Sequence, residues 1–215
     1  MAGKLHLGVL CSGGGTNLQA ILDNCAAGRL AAEVAVVVAD VACGGLERAR
    51  RAGVPAVHID RRDRARYPTR EAYDEAVLAA LQHHRVDLVC HAGYLRIMTP
   101  ELAEAFAGRM LNVHPALLPS FGGVGMWGHH VHEAVLSYGC KVSGCTVHFV
   151  TAEPDAGPVV LQRAVPVAED DTPETLAARI LPHEHALYSE AIQLFAEGRL
   201  RIEGRRVRLL PPADA

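Results

Sequence analysis

At 215 residues, half of them hydrophobic, with a net charge of −3, the chain has the apolar material for a full core and lacks the basic excess of a nucleic-acid binder. No run reaches the ~20 apolar residues of a membrane span, and the first ten residues hold one Lys and no signal-length apolar stretch; a cytoplasmic protein with no membrane or nucleic-acid partner is expected. Six cysteines, at 11, 25, 43, 90, 140 and 145, form no Cys-x-x-Cys pair and read as reduced thiols.

Along the chain, apolar runs of strand length alternate with amphipathic segments, the pattern of an α/β fold. A strand over 5–10 precedes a glycine-rich turn and a helix running from Asn17 to a stop at Gly28. A second strand over 34–39 leads to a helix over 46–52, ended by Gly53 and Pro55, and to a short strand over 57–59. Two basic clusters, 61–66 and 204–208, have no aromatic interleaving and read as solvated surface. Thr69 is placed to cap a helix over Arg70–His83, with Glu71 in its first turn.

A strand over 87–91 follows, then Thr99-Pro100-Glu101 as the start of a helix to 107, and a strand over Met110–His114 that Pro115 ends. Residues 115–128 are rich in Gly and Pro and read as a loop, with packing against the surface the expectation for Trp127. Beyond a helix over 131–138, segments 143–150 and 159–167 alternate as strands of an antiparallel or mixed extension. Thr172-Pro173-Glu174 opens a helix that Pro182 is expected to kink or divide before Gly198, and 200–202 with 207–209 form a hairpin. The expected architecture is a Rossmann-like open, mostly parallel twisted sheet with helices on both faces and a C-terminal antiparallel or mixed extension.

Chemistry concentrates in two places. Cys11-Ser12-Gly13-Gly14-Gly15-Thr16-Asn17-Leu18 lies between the first strand and first helix, where backbone N–H groups and the helix dipole favour an anion. No Gly-Lys-Ser/Thr follows, and with Gly13 and Gly15 as the opening glycines of a dinucleotide fingerprint the third falls at Leu18. A single phosphate held by N–H groups and the Thr16 and Asn17 side chains fits better than a pyrophosphate; a tight turn without ligand is the competing reading. Asp40, just past the second strand, imitates the ribose-binding acid of a dinucleotide enzyme, with capping of a turn as its alternative role.

The second place is Asn112 and His114, two apart in an extended segment and so on one face, at a strand's C-terminal end where open parallel sheets place ligands. Asp155, after one more predicted strand, is the carboxylate to orient and charge the ring. A turn with a satisfied histidine gives the same local pattern. His129-His130-Val131-His132 and His183-Glu184-His185 lack a partner at tetrahedral spacing, so no metal site is expected.

Six blocks carry a family resemblance in order along nearly the whole chain: Ser-Gly-Gly-Gly-Thr-Asn-Leu-Gln-Ala at 12–20, Gly-Leu-Glu-Arg-Ala-Arg at 45–50, Thr-Arg-Glu-Ala-Tyr-Asp at 69–74, Ala-Gly-Tyr-Leu-Arg-Ile-Met at 92–98, Leu-Asn-Val-His-Pro at 111–115 and Gly-Cys-Thr-Val-His-Phe-Val at 144–150. They resemble the phosphoribosylglycinamide formyltransferases, a folate-dependent family of purine synthesis. The resemblance implies transfer of the formyl group of 10-formyltetrahydrofolate to the amine of glycinamide ribonucleotide, with no metal required. It implies a single domain over 1–215, its 1–114 half binding phosphate and substrate and its 115–215 half carrying a folate loop and the extension.

Residue by residue, it implies phosphate on Gly15, Thr16 and Asn17, folate against Leu95, Arg96, Ile97 and Met98 with Arg70 and Asn112 contributing, and closure of the Thr151 to Asp155 loop on the pteridine. Glu184 matches an acid near the substrate amine; Asn112, His114 and Asp155 match the catalytic set, His114 acting best when protonated. Ala116 stands where many relatives carry Ser, so no hydroxyl nucleophile is present at that position, and direct transfer needs none. A monomer or homodimer is expected. A methionyl-tRNA formyltransferase would need an added tRNA-binding domain and a basic patch, and a formyltetrahydrofolate hydrolase would have no use for the glycine loop. A silent nucleotide-binding module and a nicotinamide-dependent oxidoreductase are the readings from other classes.

Overall fold

Uninterrupted burial, rather than alternation, marks the first strands. In the computed structural model, which describes residues 3–212, Leu7, Val9, Leu10 and Cys11 of β1 (Leu5–Cys11) are fully buried. So are Val36, Val37, Val38 and Ala39 of β2 (Ala32–Ala39). Strands read this way when both faces of a parallel sheet are covered. Two compact units result, one up to Leu111 and one from Asn112.

The first unit alternates these strands with α1 (Thr16–Ala26), α2 (Gly44–Arg51), β3 (Ala56–His58), α3 (Arg70–His83), β4 (Leu88–His91) and α4 (Pro100–Ala105). Its strand order is β3-β2-β1-β4, then β5 (Met110–His114), and β1 pairs parallel with both β2 and β4. The caps read from the sequence form: Thr69 Oγ1 accepts the Ala72 N–H at 3.1 Å, and Thr99 Oγ1 accepts that of Leu102 at 3.4 Å.

The second unit holds the end of β5, then α5 (His129–Tyr138), β6 (Val142–Phe149), β7 (Val159–Pro166), α6 (Pro173–Ala196), β8 (Leu200–Glu203) and β9 (Arg206–Leu209). The order continues β6-β7-β9-β8, with β6 and β7 antiparallel, β7 and β9 parallel, and β8 and β9 an antiparallel hairpin. The extension is therefore mixed, as expected. No helix among the described residues is long and apolar enough to cross a membrane.

Three expectations change. Pro182 does not divide α6, which runs 24 residues without interruption. Buried side chains before it (Leu176, Ile180) and after it (Leu187, Tyr188, Ala191, Ile192) continue one apolar stripe, whose burial outweighs the ~3 kcal/mol that an interior proline costs. Helix α5 starts two residues early, at His129, because both His129 (3.1 Å) and His130 (3.3 Å) reach Glu133 from the first turn. Trp127 is 46% exposed, and its packing is limited to an edge-on contact with the His130 ring at 4.6 Å.

Helix α6 begins with a reciprocal cap in which Thr172 and Thr175 each bond the other's backbone N–H, at 3.3 and 2.9 Å. Thr172→Ala is expected to lower unfolding stability by about 1 kcal/mol in urea denaturation, with activity unchanged.

Candidate functional site

Strand β5 carries Asn112 and His114 on one face, and the turn between β6 and β7 brings Asp155 to them. His114 Nδ1 lies 3.6 Å from Asp155 Oδ2, with the His114 side chain 4% exposed. Asp155 adopts φ 55, a left-handed conformation uncommon outside glycine, and its Oδ2 accepts the Gly123 N–H at 2.9 Å. The three residues singled out in the sequence are thus assembled.

A fourth joins them. His148, in β6, sits 3.1 Å from Asn112 Nδ2 and 3.6 Å from Asp155 Oδ1 through the same Nε2 atom. Its Nδ1 lies 2.9 Å from the Phe149 carbonyl, which can only accept, so Nδ1 carries the proton and Nε2 of the neutral ring accepts from the Asn112 amide. That leaves the second amide hydrogen of Asn112 for another acceptor. The sequence held one signal for this residue: His148 alternates with Thr146 as polar side chains on one period-two face of a largely apolar strand.

The loop after His114 is pinned. Thr146 Oγ1 donates to the Ala116 carbonyl at 2.6 Å and accepts the Leu118 N–H at 3.0 Å, while Gln162 Nε2 donates to the Leu118 carbonyl at 2.9 Å. The loop then turns back, and His114 Nε2 donates to the Phe121 carbonyl at 2.8 Å.

Electrostatics corrects the expected charge of His114. Burial lowers its pKa and outweighs the upward push from Asp155 and from the Phe121 carbonyl, so the ring is neutral at neutral pH. For Asp155 the balance is reversed: burial raises it, but its neighbours His148, His114 and the Gly123 N–H together hold it below the usual carboxylate range. An ionised carboxylate therefore faces an uncharged ring whose Nδ1 is free to take a proton.

Nearby His132 is likewise lowered, chiefly by burial and then by His129 and His114. The native state resists protonating both rings, while the unfolded chain takes up these protons near pH 6.5. Stability is therefore full above about pH 6.5 and falls as the pH drops through that value. The thermal midpoint is expected to decline as the pH falls below about 6.5, and that of His132→Gln to decline less steeply; superimposable profiles would refute the role of His132.

In the first unit, Gly15 (φ 72) ends the glycine loop, so Thr16 and Asn17 are the first residues of α1. A Cβ on Gly15 would lie 2.8 Å from the Gly45 Cα, and one on Gly45 would collide with the Cys11 sulfur, so neither position has room for a side chain. The Gly45 N–H donates to the Gly13 carbonyl at 3.0 Å and Arg48 Nε to that of Gly14 at 2.7 Å, tying α2 to the loop. Thr16 is exposed and Asn17 buried.

The 94–98 strip is attached to that loop by Ser12, a residue the sequence did not single out. The Ser12 N–H donates to the Gly93 carbonyl at 3.0 Å, and Ser12 Oγ accepts the Leu95 N–H at 3.0 Å. Leu95 and Ile97 are 45% and 43% exposed, apolar surface suited to a flat ligand, whereas the Met98 side chain is buried and its carbonyl accepts from Arg70. Arg96 stacks over Tyr73 at 3.9 Å.

Glu184 lies half-buried on α6, where its charge, after burial itself, pushes the Cys145 thiol up to about 12. The Thr151 hydroxyl closes its own loop on the Glu153 carbonyl at 3.1 Å. Among the described residues, no group of three His, Cys, Asp or Glu is placed to hold a metal ion.

Residues 5–192 match the formyl transferase family model. The chain is 40% identical over 216 residues to phosphoribosylglycinamide formyltransferase of Escherichia coli, covering 97% of both. The crystal structure of glycinamide ribonucleotide transformylase 1 from Symbiobacterium toebii superposes with a TM-score of 0.92 at 55% identity, over 98% of this chain and 96% of that one. The chain also spans 19% of the length of the trifunctional purine biosynthetic protein adenosine-3 of Bos taurus, at 41% identity over 200 residues. With that span, that identity and the assembled Asn112, His114 and Asp155, the chain belongs to the formyl transferase family and, within it, to the phosphoribosylglycinamide formyltransferases.

Proposed function

We propose that the chain transfers the formyl group of 10-formyltetrahydrofolate to the primary amine of glycinamide ribonucleotide. The observation that carries this reading is the buried cluster in which His148 orients the Asn112 amide while His114, uncharged, keeps a donating Nε2 and a proton-accepting Nδ1 beside an ionised Asp155. The amine attacks the formyl carbon, and negative charge collects on the formyl oxygen. Asn112 Nδ2–H and His114 Nε2–H donate to that oxygen. Before reaction that Nε2–H is donated to the Phe121 carbonyl at 2.8 Å, so His114 exchanges this partner for the formyl oxygen as charge develops there.

As the carbon–nitrogen bond forms, the amine must lose a proton and the departing folate nitrogen must gain one. His114 is suited to relay it: Asp155 stabilises the imidazolium that forms, and burial makes the ring ready to give the proton up again. Substrate phosphate rests on the N–H groups of Gly15, Thr16 and Asn17 at the start of α1. Folate lies on Leu95 and Ile97, with Arg70 and Arg96 available to its carboxylates, Met98 serving through its backbone, the Thr151 to Asp155 loop closing on the pteridine and Glu184 acting near the amine.

Release of tetrahydrofolate from 10-formyltetrahydrofolate, measured with and without glycinamide ribonucleotide, tests the proposal. Release that requires the ribonucleotide and yields its formylated form is expected. Release without it would make the chain a hydrolase, and none under either condition would make it a silent binding module.

A further inference from the structure

We propose that Cys11 and Cys43 are a redox-active dithiol, and that their disulfide, formed by exchange with a small-molecule disulfide, weakens the glycine loop's hold on phosphate. Three observations carry this. The two Sγ atoms lie 4.0 Å apart although the residues are 32 positions apart in sequence. Cys11 is the last residue of β1 and leads into the glycine loop, while Cys43 is the N-cap of α2. The thiol of Cys11 also fills the space where Gly45 would carry a side chain, since a Cβ there would lie 2.4 Å from its Sγ. The first turn of α2 therefore rests on the Cys11 sulfur and, through the Gly45 N–H, on the Gly13 carbonyl.

The chemistry follows from exposure. Cys11 is fully buried and Cys43 is half-buried, so Cys43 meets the oxidant first. Its thiolate attacks one sulfur of the oxidant RSSR, forming a mixed disulfide and expelling RS⁻, which takes up the proton Cys43 lost. Cys11, whose thiol burial and Cys43 both push well up, then loses its proton as its sulfur attacks that of Cys43 and expels the second RSH. Two cysteine thiols are oxidised and one RSSR is reduced to two RSH.

Closing the 4.0 Å gap to the ~2.05 Å of a disulfide draws the end of β1 and the N-terminus of α2 together. The Gly13 to Gly15 segment between them has little room to absorb this movement, since even a Cβ on Gly15 would lie 2.8 Å from the Gly45 Cα. The consequence for phosphate rests on reading this loop as the phosphate site.

The test is oxidation of the full chain with glutathione disulfide, followed by non-reducing peptide mapping and by titration with ribose 5-phosphate before and after. Expected are a fall from six titratable thiols to four, a Cys11–Cys43 peptide that dithiothreitol reverses, and an affinity loss of about tenfold, the worth of one hydrogen bond to a charged group. Cys43→Ser should show neither change. Six thiols surviving, a bridge between other cysteines, or glutathione remaining on Cys43 would each overturn the proposal. A Cys11–Cys43 bridge with unchanged affinity would overturn the coupling. If the reduced protein binds no ribose 5-phosphate, the phosphate reading of the loop fails, while the peptide map still decides the dithiol.

Discussion

Asn112→Ala is expected to lower kcat for formyl transfer by about 10²–10³, or ~2.7–4 kcal/mol, the cost of removing one donor to a developing oxyanion. KM should move little, because the hydrogen bond strengthens only as charge appears on the formyl oxygen. The structure adds a sharper test. In the proposed mechanism His148 reaches the reaction through Asn112, whose amide hydrogen it accepts at 3.1 Å, and so acts as a positioning residue. His148→Ala should therefore reduce kcat in the parent protein and have a much smaller effect when Asn112 is already Ala. Equal effects in both backgrounds would mean that His148 acts on its own or through Asp155, 3.6 Å away. A near-normal kcat for Asn112→Ala, in protein with a native circular dichroism spectrum, would remove Asn112 from the chemistry.

The second large effect arises where no side chain exists. A Cβ on Gly157 would lie 1.7 Å from the Phe149 carbonyl oxygen and 2.8 Å from its carbon, backbone atoms that cannot swing away. That oxygen holds the His148 Nδ1–H at 2.9 Å, and the neighbouring Phe149 N–H is bonded to the Pro158 carbonyl at 2.9 Å. Gly157→Ala should push the carbonyl out of place, turn His148 and release Asn112. It should also shift Asp155, two residues away. A displacement on the order of 1 Å at a reacting group costs about 10² in rate, and Gly157→Ala should lose at least that. Stability should fall by about 1–3 kcal/mol, the cost of overpacking. Urea denaturation separates the two effects: a variant fully folded at the assay temperature yet slow supports the positioning role, and one with parental kcat refutes it.

The reading of these residues from sequence succeeded where the cause is local. Helix α3 begins at Arg70 because Thr69 caps it and ends at His83; β5 stops at His114 because Pro115 follows. Asn112 and His114 share a face through the period of an extended chain. At Pro182 the expectation of a divided helix failed because a local rule met a tertiary contact. Its missing N–H is a fixed cost, but the stripe on either side is buried as one surface, and only the fold shows that.

The charge of His114 misled for a similar reason. Asp155 is visible in the sequence and pushes the ring's pKa upward, while the larger downward effect of burial exists only once neighbouring segments cover the ring.

The sequence by itself determined the order of strands and helices, the caps, the anion-favouring loop and an amide, an imidazole and a carboxylate as the candidate reacting groups. Each follows from side-chain type and short-range spacing. Tertiary structure alone decided that His148 completes the site, that Ser12 joins the glycine loop to the 94–98 strip, and that Cys11 faces Cys43. Those contacts join residues 36, 83 and 32 positions apart. No periodicity reaches so far, and the distances are set by which strands pair and how far each loop turns back.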